Sequence, residues 1–467
     1  MRSFSVLFSL LFWAISAQTQ VVYDITKYKA KGDGKTLNTK AVQRAIDECS
    51  AKGGGTVWVP AGIFVTGCIY LKDNVNLYLS NGAVLRATPE LSEYDPGTMA
   101  LVYVKEAANV SINGMGMIDG NGKNFRFVEE GPDRPFVVLV EGSKHVVIRD
   151  VKLYHAARWT LKLFDSDQVQ VSGVTIYSHS NHNNDGIDID SRNVTISDCI
   201  IDSDDDAICL KSENPNRITE NVTVTNCLIS SNCNFIKMGT GSFSGFKNIA
   251  ITNCVLKAAT ETPFWKWNTI VKGVEDTISG IAGIALEVVD GGMMDQVVIS
   301  NISMTGVQTP IFMRLGNRRN PVGSMKNVLI SNITATANSL IPSIIAAVPG
   351  FQIENVTFRD MILRHKGGGT EADRNRQVPE HEAKYPENRM FGHSLPAYGL
   401  YVRHAKNITL DNIQFTLASA DARPAIWLED VNGVYIKDFS AGSGAKPSTK
   451  IRQVDVTDFF YQNLREQ

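Results

Sequence analysis

One phrase recurs along this chain: an Asn, His or Gln, then Val-x-Ile or a close variant, a polar or small residue, and a Cys, Val or Ile. It stands at NVSINGMGM (from Asn109), HVVIRDVKL (His145), QVQVSGVTI (Gln168) and NVTISDCII (Asn193). It continues at NVTVTNCLI (Asn221), NIAITNCVL (Asn248), QVVISNISM (Gln296) and NVLISNITA (Asn327). Weaker copies follow at FQIENVTF (Phe351), NITLDNIQF (Asn407) and GVYIKDFS (Gly433). Many successive copies lie about 23 to 31 residues apart, a solenoid period. The units are rich in Val, Ile and Thr and broken by Asn, Gly and Ser, the signature of short strands and turns. No long amphipathic helix separates them. The pattern predicts an all-β, single-domain, right-handed parallel β-helix in which each coil buries its inward row against its neighbours. Asparagine at one place in every coil predicts a side-chain hydrogen-bond ladder in the turns.

The first residues differ from this pattern. Met1 to about Ala17 reads as a short signal peptide: Arg2, the apolar run Phe4–Ile15, then Ser16 and Ala17. The run is too short to span a bilayer, and no cysteine marks a lipid anchor. The expectation is an exported protein, periplasmic or extracellular, with no membrane anchor. Residues 21–87 read as an entry module: a strand at Tyr23-Asp24-Ile25, a helix capped by Asn38 and stopped by Gly53–Gly55, and strands at Thr56–Val59, Gly67–Leu71 and Val75–Leu79. Ala41, Val42, Ala45, Ile46 and Cys49 share one face of that helix, which caps the open end of the stack. Residues 88–440 form the helical body, with insertions near 257–281 and 364–396, and residues 441–467 a C-terminal tail packing on it. Aromatics in the insertions (Trp265, Trp267, Tyr385, Phe391) either stack on a ligand or fold the loops onto the coils.

A net charge of −2 argues against a nucleic-acid partner. Seven cysteines are an odd number for an exported chain. Cys199, Cys227 and Cys254 close matched repeats and predict a buried ladder of thiols, with no metal-ligand spacing.

Chemistry concentrates in NHNNDGIDIDSRNVTISDCIIDSDDDAICLK, from Asn181 to Lys211. Asp185–Asp190 and Asp206–Lys211 are two alternating runs about 21 residues apart. Stacked one coil apart, Ile187 covers Ile208 and Ile189 covers Leu210. Asp190 then falls beside Lys211, and Asp185 beside Asp206. The carboxylates of Asp185, Asp205 and Asp206 crowd one patch. Crowding pushes at least one toward its protonated form, which sets an acid beside a base. Acidic turn residues also cap strands or bind calcium, and spacing alone leaves that alternative open.

GDGKTLNTKAVQRAID, the repeats, NNDGIDID and DDDAICLKS together resemble glycoside hydrolase family 28, the polygalacturonase-like pectin-degrading enzymes. The resemblance runs from about Tyr23 to about Ser440, and the later stretches SNCNFIKMGT, PIFMRLGNR and YPENRMFGHSLPAYGLYVRHA are similar to bacterial members. It implies inverting hydrolysis without metal or organic cofactor. Carried over, Asn183-Asn184-Asp185 matches the Asn-Thr-Asp motif and Asp205-Asp206 the Asp pair. Asp205 is then the general acid, and Asp185 and Asp206 hold and activate water. Carboxylates on adjacent coils reach the roughly 6.5–9.5 Å that an inverting pair needs. The implied partner is a pectic polysaccharide or oligosaccharide, a galacturonan or rhamnogalacturonan, cleaved by a monomer.

Two departures bear on specificity. The family's Gly-His-Gly is absent: register puts Asn234 beside Asp206 and Cys233 beside Asp205. The Arg-Ile-Lys that grips galacturonate is also absent, its place falling near Ala285-Leu286-Glu287, where a glutamate repels an anionic sugar. Lys237 and Arg314 are the substitute cations, and Asn184, Asn234 and Trp265 complete the expected substrate-binding set. Lys211 is expected to be exposed and paired with Asp190, Asp188 to be structural, lining the groove or bonding turns, and Arg158, Arg318, His155 and His182 to be secondary. A polysaccharide lyase and a non-catalytic carbohydrate-binding β-helix are the alternative readings. A lyase needs calcium or a Lys, Arg or Tyr base, and mere binding has no use for three crowded carboxylates.

Overall fold

The computed structural model describes residues 21–96, 99–126, 133–261, 280–319, 321–442 and 450–466. The expected leader and most of the 257–281 insertion, Trp265 and Trp267 included, lie outside the described residues. The chain winds as a right-handed parallel β-helix, and its strand pairings are parallel. Three inward rows run along it. One is Leu161, Ile187, Ile208, Ile236, Ile284 and Ile311. A second is Val194, Val222, Ile249, Val297, Val328 and Val356. A third is Ile176, Ile201, Ile229, Leu256, Met304 and Ala335. These side chains are at most 3% exposed, so every coil closes the apolar surface of the one before it.

The turns explain the recurring asparagine. Asn193, Asn221 and Asn248 sit at φ of 53°, 57° and 55°, a left-handed conformation that Asn tolerates. Asn221 Nδ2 donates to Asn193 Oδ1 at 2.9 Å, and Asn248 Nδ2 to Asn221 Oδ1 at 2.7 Å. A second ladder joins Asn253, Asn301 and Asn332. Asn221→Ala loses both bonds and strains the turn. It is expected to lower unfolding free energy by about 1–2 kcal/mol, read as a lower urea midpoint with an unchanged slope.

The predicted cap helix runs Thr39–Ala51 and buries Ala41, Val42, Ala45, Ile46 and Cys49, as its apolar face requires. Asn38 stands at its start but does not cap it with its side chain. Instead Asn38 Oδ1 accepts from Lys31 N at 2.7 Å and Nδ2 donates to Thr36 O at 2.6 Å, which braces the preceding loop. A strand at Gly62–Thr66 was not expected between the others. At the far end, the stretch expected as a tail supplies a strand, Ile451–Glu466, parallel to Ile426–Ala441. Cys199, Cys227 and Cys254 are buried free thiols, each Sγ donating to a carbonyl at 3.2 Å. No helix among the described residues is long and apolar enough to cross a membrane.

The outward face of one sheet changes character along its length. In register it reads Lys162, Asp188, Cys209, Lys237, then Ala285, Phe312, Ile344 and Tyr401. The apolar half needs a cover, and the 364–396 insertion supplies one: Met390, Phe391 and Leu395 pack on Phe312, Ile344 and Tyr401. Asn388 Nδ2 fastens the insertion to Ile281 O (2.9 Å) and Thr309 Oγ1 (2.7 Å). The charged half stays uncovered by that cluster.

Candidate active site

The site lies where two sheets meet. The turns after the Thr175–Ser178, Ile200–Ser203 and Leu228–Ser231 strands lead into Ile187, Ile208 and Asn234, so equivalent turn residues stack coil on coil. Gly186 makes the closest approach: a Cβ there would meet Ala207 O at 2.4 Å, so no larger residue fits beside Asp185.

This stacking brings Asp185, Asp205 and Asp206 together, each under one-tenth exposed. Their environments differ. Asp205 Oδ1 accepts the Asp206 amide at 2.8 Å, and the Cys233 thiol lies against the same carboxyl. Burial and the neighbouring Asp206 charge push its carboxyl up to about 6. Burial also works against ionised Asp206, but the Lys237 ammonium at 2.9 Å from Oδ2 and Asn234 Nδ2 at 2.7 Å from Oδ1 outweigh it. Asp206 is thus held below the ordinary carboxylate range. Burial, then the Asp205 and Asp188 charges, raise Asp185 well above that range, and its Oδ1 has no hydrogen-bond partner among the described residues. One patch therefore holds a carboxyl that keeps its proton and one that gives it up.

Lys211 is not exposed, and its partner is not Asp190. It is 7% exposed, 3.3 Å from Asp188 Oδ1 and 4.0 Å from Asp185 Oδ2. Asp190 instead accepts from the Glu213 amide at 2.7 Å. Asp185, Asp188 and Cys209 bring donor atoms within 4.8 Å of one another, a spacing suited to a cation, and the Lys211 ammonium stands 3.3 Å from Cys209 Sγ. The chain supplies its own cation there.

Two residues expected to bind substrate are engaged elsewhere. Asn184 is fully buried: its Oδ1 accepts the Ser180 and Asn181 amides at 2.7 Å, and its Nδ2 donates to Ala156 O and Arg158 O at 2.9 and 3.1 Å. It fastens the loop that carries Asp185. Arg314 is 1% exposed, donating to Ala347 O (2.8 Å) and Glu380 O (2.9 Å), which clamps the 364–396 insertion. The expected repulsion by Glu287 also changes. Burial pushes its carboxyl up to about 8, so it is largely uncharged at neutral pH.

Lys237 and Asn234 stand beside Asp206, as register predicts. Tyr385, half exposed, reaches them from the insertion: Lys237 Nζ donates to its hydroxyl at 3.2 Å, and its ring lies 5.5 Å from the ammonium. Trp265 lies outside the described residues. Of the secondary candidates, His182 lies buried against Asn183 Oδ1 at 2.6 Å and His155 stands 3.2 Å from Asp119.

His179 stands outside the recurring motifs. Its Nε2 is 3.0 Å from Asp202 and its Nδ1 3.7 Å from Asp204. Burial opposes its charge, yet the two carboxylates raise its proton affinity. The ring thereby braces the turn immediately before Asp205. Its only sequence signal was a histidine one coil before an acidic run.

A family model described as glycosyl hydrolases family 28 matches residues 49–383. A probable polygalacturonase of Vitis vinifera is 31% identical over 237 residues, 45% of this chain and 48% of that protein. An exo-poly-alpha-D-galacturonosidase of Dickeya chrysanthemi is 27% identical over 250 residues, 40% and 41% of the two chains. The matched stretches thus span less than half the length of these relatives. An exopolygalacturonase structure from Thermotoga maritima aligns with a TM-score of 0.65 at 19% identity, over 85% of this chain and 92% of that one, which is a likeness of fold.

Proposed function

The chain belongs to glycosyl hydrolase family 28, and on that premise we propose that it hydrolyses O-glycosyl bonds of a pectic polysaccharide or oligosaccharide with inversion. The observation that carries this reading is the split in proton affinity between the adjacent Asp205 and Asp206. Asp205 gives its proton to the leaving glycosidic oxygen as the bond to the anomeric carbon breaks. Asp206, with a carboxylate oxygen within 4.8 Å of one on Asp205, takes a proton from water, whose oxygen bonds to that carbon from the opposite face. This separation is shorter than the roughly 6.5–9.5 Å usual for an inverting pair, so the anomer of the first product is the deciding observation. Asp185, which keeps its proton, holds the water. Exchange with solvent returns Asp205 and Asp206 to their starting states.

The covered row from Ala285 to Tyr401 supports attack at a chain end, since Met390, Phe391 and Leu395 lie over that sheet beyond Lys237. Incubation with pectic polymers is expected to release reducing ends without ultraviolet absorbance and with little fall in viscosity. The first-formed anomer, read by proton NMR, is expected to be inverted. An unsaturated, absorbing product would replace this reading by a lyase. A rapid viscosity loss would remove the terminal mode alone. Export through the Met1–Ala17 segment belongs to the same proposal, and N-terminal sequencing of the mature protein checks it.

A further inference from the structure

The sheet whose inward row holds Val194 extends back through Val169, Val146 and Val110 to the first coils. There its outward residues fall into two rows that the carboxylate patch does not use. In register one row reads Asp24, Trp58, Tyr78, Asn113 and Arg149. The row beside it reads Val22, Thr56, Asn76, Ser111 and Val147. Residues of both rows line a shallow open groove of about 570 Å³. The second row is tied together: Asn76 Nδ2 donates to Thr56 Oγ1 at 3.1 Å, and Ser111 Oγ to Asn76 Oδ1 at 2.8 Å.

The first row is left open. Trp58 and Tyr78 stand on neighbouring strands, yet neither ring meets another ring or a cation among the described residues. At the far end of the same sheet Tyr435 and Phe460, also on neighbouring strands, stack on each other at 5.3 Å and 3°. Trp58 Nε1 donates to Ser80 Oγ, which fixes the indole, and Tyr78 is 37% exposed. Beyond them, the Asn113 amide and the exposed Arg149 guanidinium have no hydrogen-bond or ion-pair partner among the described residues. Asp24, at the opposite end, already accepts from the Thr26 amide and hydroxyl at 2.8 and 2.7 Å. A protein partner that covered the rings with apolar side chains would bury Asn113 and Arg149 unpaired, at a cost. A sugar chain satisfies all four: its C–H faces lie on the rings, its hydroxyls meet the amide, and a carboxylate fits the guanidinium fork.

We propose that this face is a second, non-catalytic binding surface for an acidic polysaccharide, which lies along the solenoid axis with sugar rings on Trp58 and Tyr78 and a carboxylate at Arg149. From Trp58 to Arg149 the row crosses three strand spacings, roughly 14 Å, enough for a short run of sugars. That the bound polymer is the one cleaved beside Asp205 rests on the hydrolase reading above; the surface itself does not.

Calorimetry on Asp205→Asn, which leaves the polymer uncut, tests the surface with polygalacturonate and its methyl-esterified form. Adding Tyr78→Ala is expected to weaken binding of both polymers by about 2- to 10-fold, the range for one aromatic contact. Adding Arg149→Gln is expected to weaken the acidic polymer by about tenfold and to leave the esterified one within about twofold. Both side chains are exposed, so the variants are expected to melt with their parent. With Asp205 intact, each substitution is expected to raise KM for the polymer by a similar factor and to leave kcat and KM for a trisaccharide unchanged, since a short sugar cannot engage both places at once. If Tyr78→Ala binds both polymers as its parent does, or Arg149→Gln binds the acidic one as tightly, the inference is overturned and the hydrolase reading stands. A wild type that sediments as a dimer, and a Tyr78→Ala protein that sediments as a monomer, would also overturn it, because the face is then a contact between copies. If the variants lose binding as expected but wild type cleaves no pectic polymer, the surface stands and the hydrolase reading falls.

Discussion

Asp205→Asn is expected to lower kcat by about 10²- to 10⁴-fold, the range for removal of a general acid, while unfolding free energy at neutral pH rises. Both effects come from one fact: the carboxyl is buried against Asp206 and pushed up to about 6. The amide cannot protonate the leaving oxygen, so activity falls. A carboxyl that binds its proton more tightly when folded favours the fold at low pH. That advantage is lost as pH climbs from about 4, its unfolded value, through about 6. The amide has no such loss, so it is more stable than wild type at pH 7 by on the order of 1 kcal/mol or more. Wild-type turnover needs Asp205 protonated and Asp206 ionised, so its rate is expected to decline as pH rises above about 6. Initial rates from pH 3 to 9, beside urea melts at pH 4 and pH 7, check both limbs. A variant that stays active, or an alkaline limb displaced by two units or more, would take the acid role from Asp205.

The fold was legible because its physics is repetitive. One-coil register follows from matching Ile187 to Ile208 and Ile208 to Ile236, and both pairings hold in the structure. The same register places Asn234 beside Asp206, and the two meet at 2.7 Å. Side-chain reach was not legible. Lys211 passes over its in-register neighbour Asp190 for Asp188, because a long ammonium takes the carboxylates that burial leaves least solvated. Asn184 sits inside a motif read as substrate-binding, yet all its polar atoms serve backbone groups 3 to 28 residues away, which no local pattern reports. Arg314 looks like a free cation in sequence because one of the carbonyls it clamps, Glu380 O, belongs to an insertion whose path has no repeat to follow. Repetition carries strand neighbours, whereas loops and long side chains depend on three-dimensional closure.

Lys237→Met is expected to cost about 3–5 kcal/mol of stability, because it leaves the Asp206 carboxylate buried without its cation. Lys237 is 4% exposed and stands 2.9 Å from Asp206 Oδ2, so water cannot take its place without opening the site. The sign of the pH dependence should also reverse. In wild type Asp206 is held below its ordinary value, so its contribution is present above about pH 4 and lost as pH falls through the depressed value. Without Lys237, burial dominates and Asp206 rises above that value, so stability then declines as pH increases past about 4. Activity should fall by about 10²-fold or more, since a base that holds its own proton cannot accept one from water. Asp206→Asn strands the ammonium instead and should destabilise to a similar degree. The double variant Lys237→Met, Asp206→Asn removes both charges and should regain most of the lost stability but none of the activity. Urea melts of the four proteins at pH 5 and pH 8 measure the coupling. Additive losses, or a Lys237→Met protein with the wild-type pH profile, would mean that Asp206 is tuned by something other than Lys237. Recovery of stability without activity would identify the ion pair as the device that keeps Asp206 ionised beside a protonated Asp205.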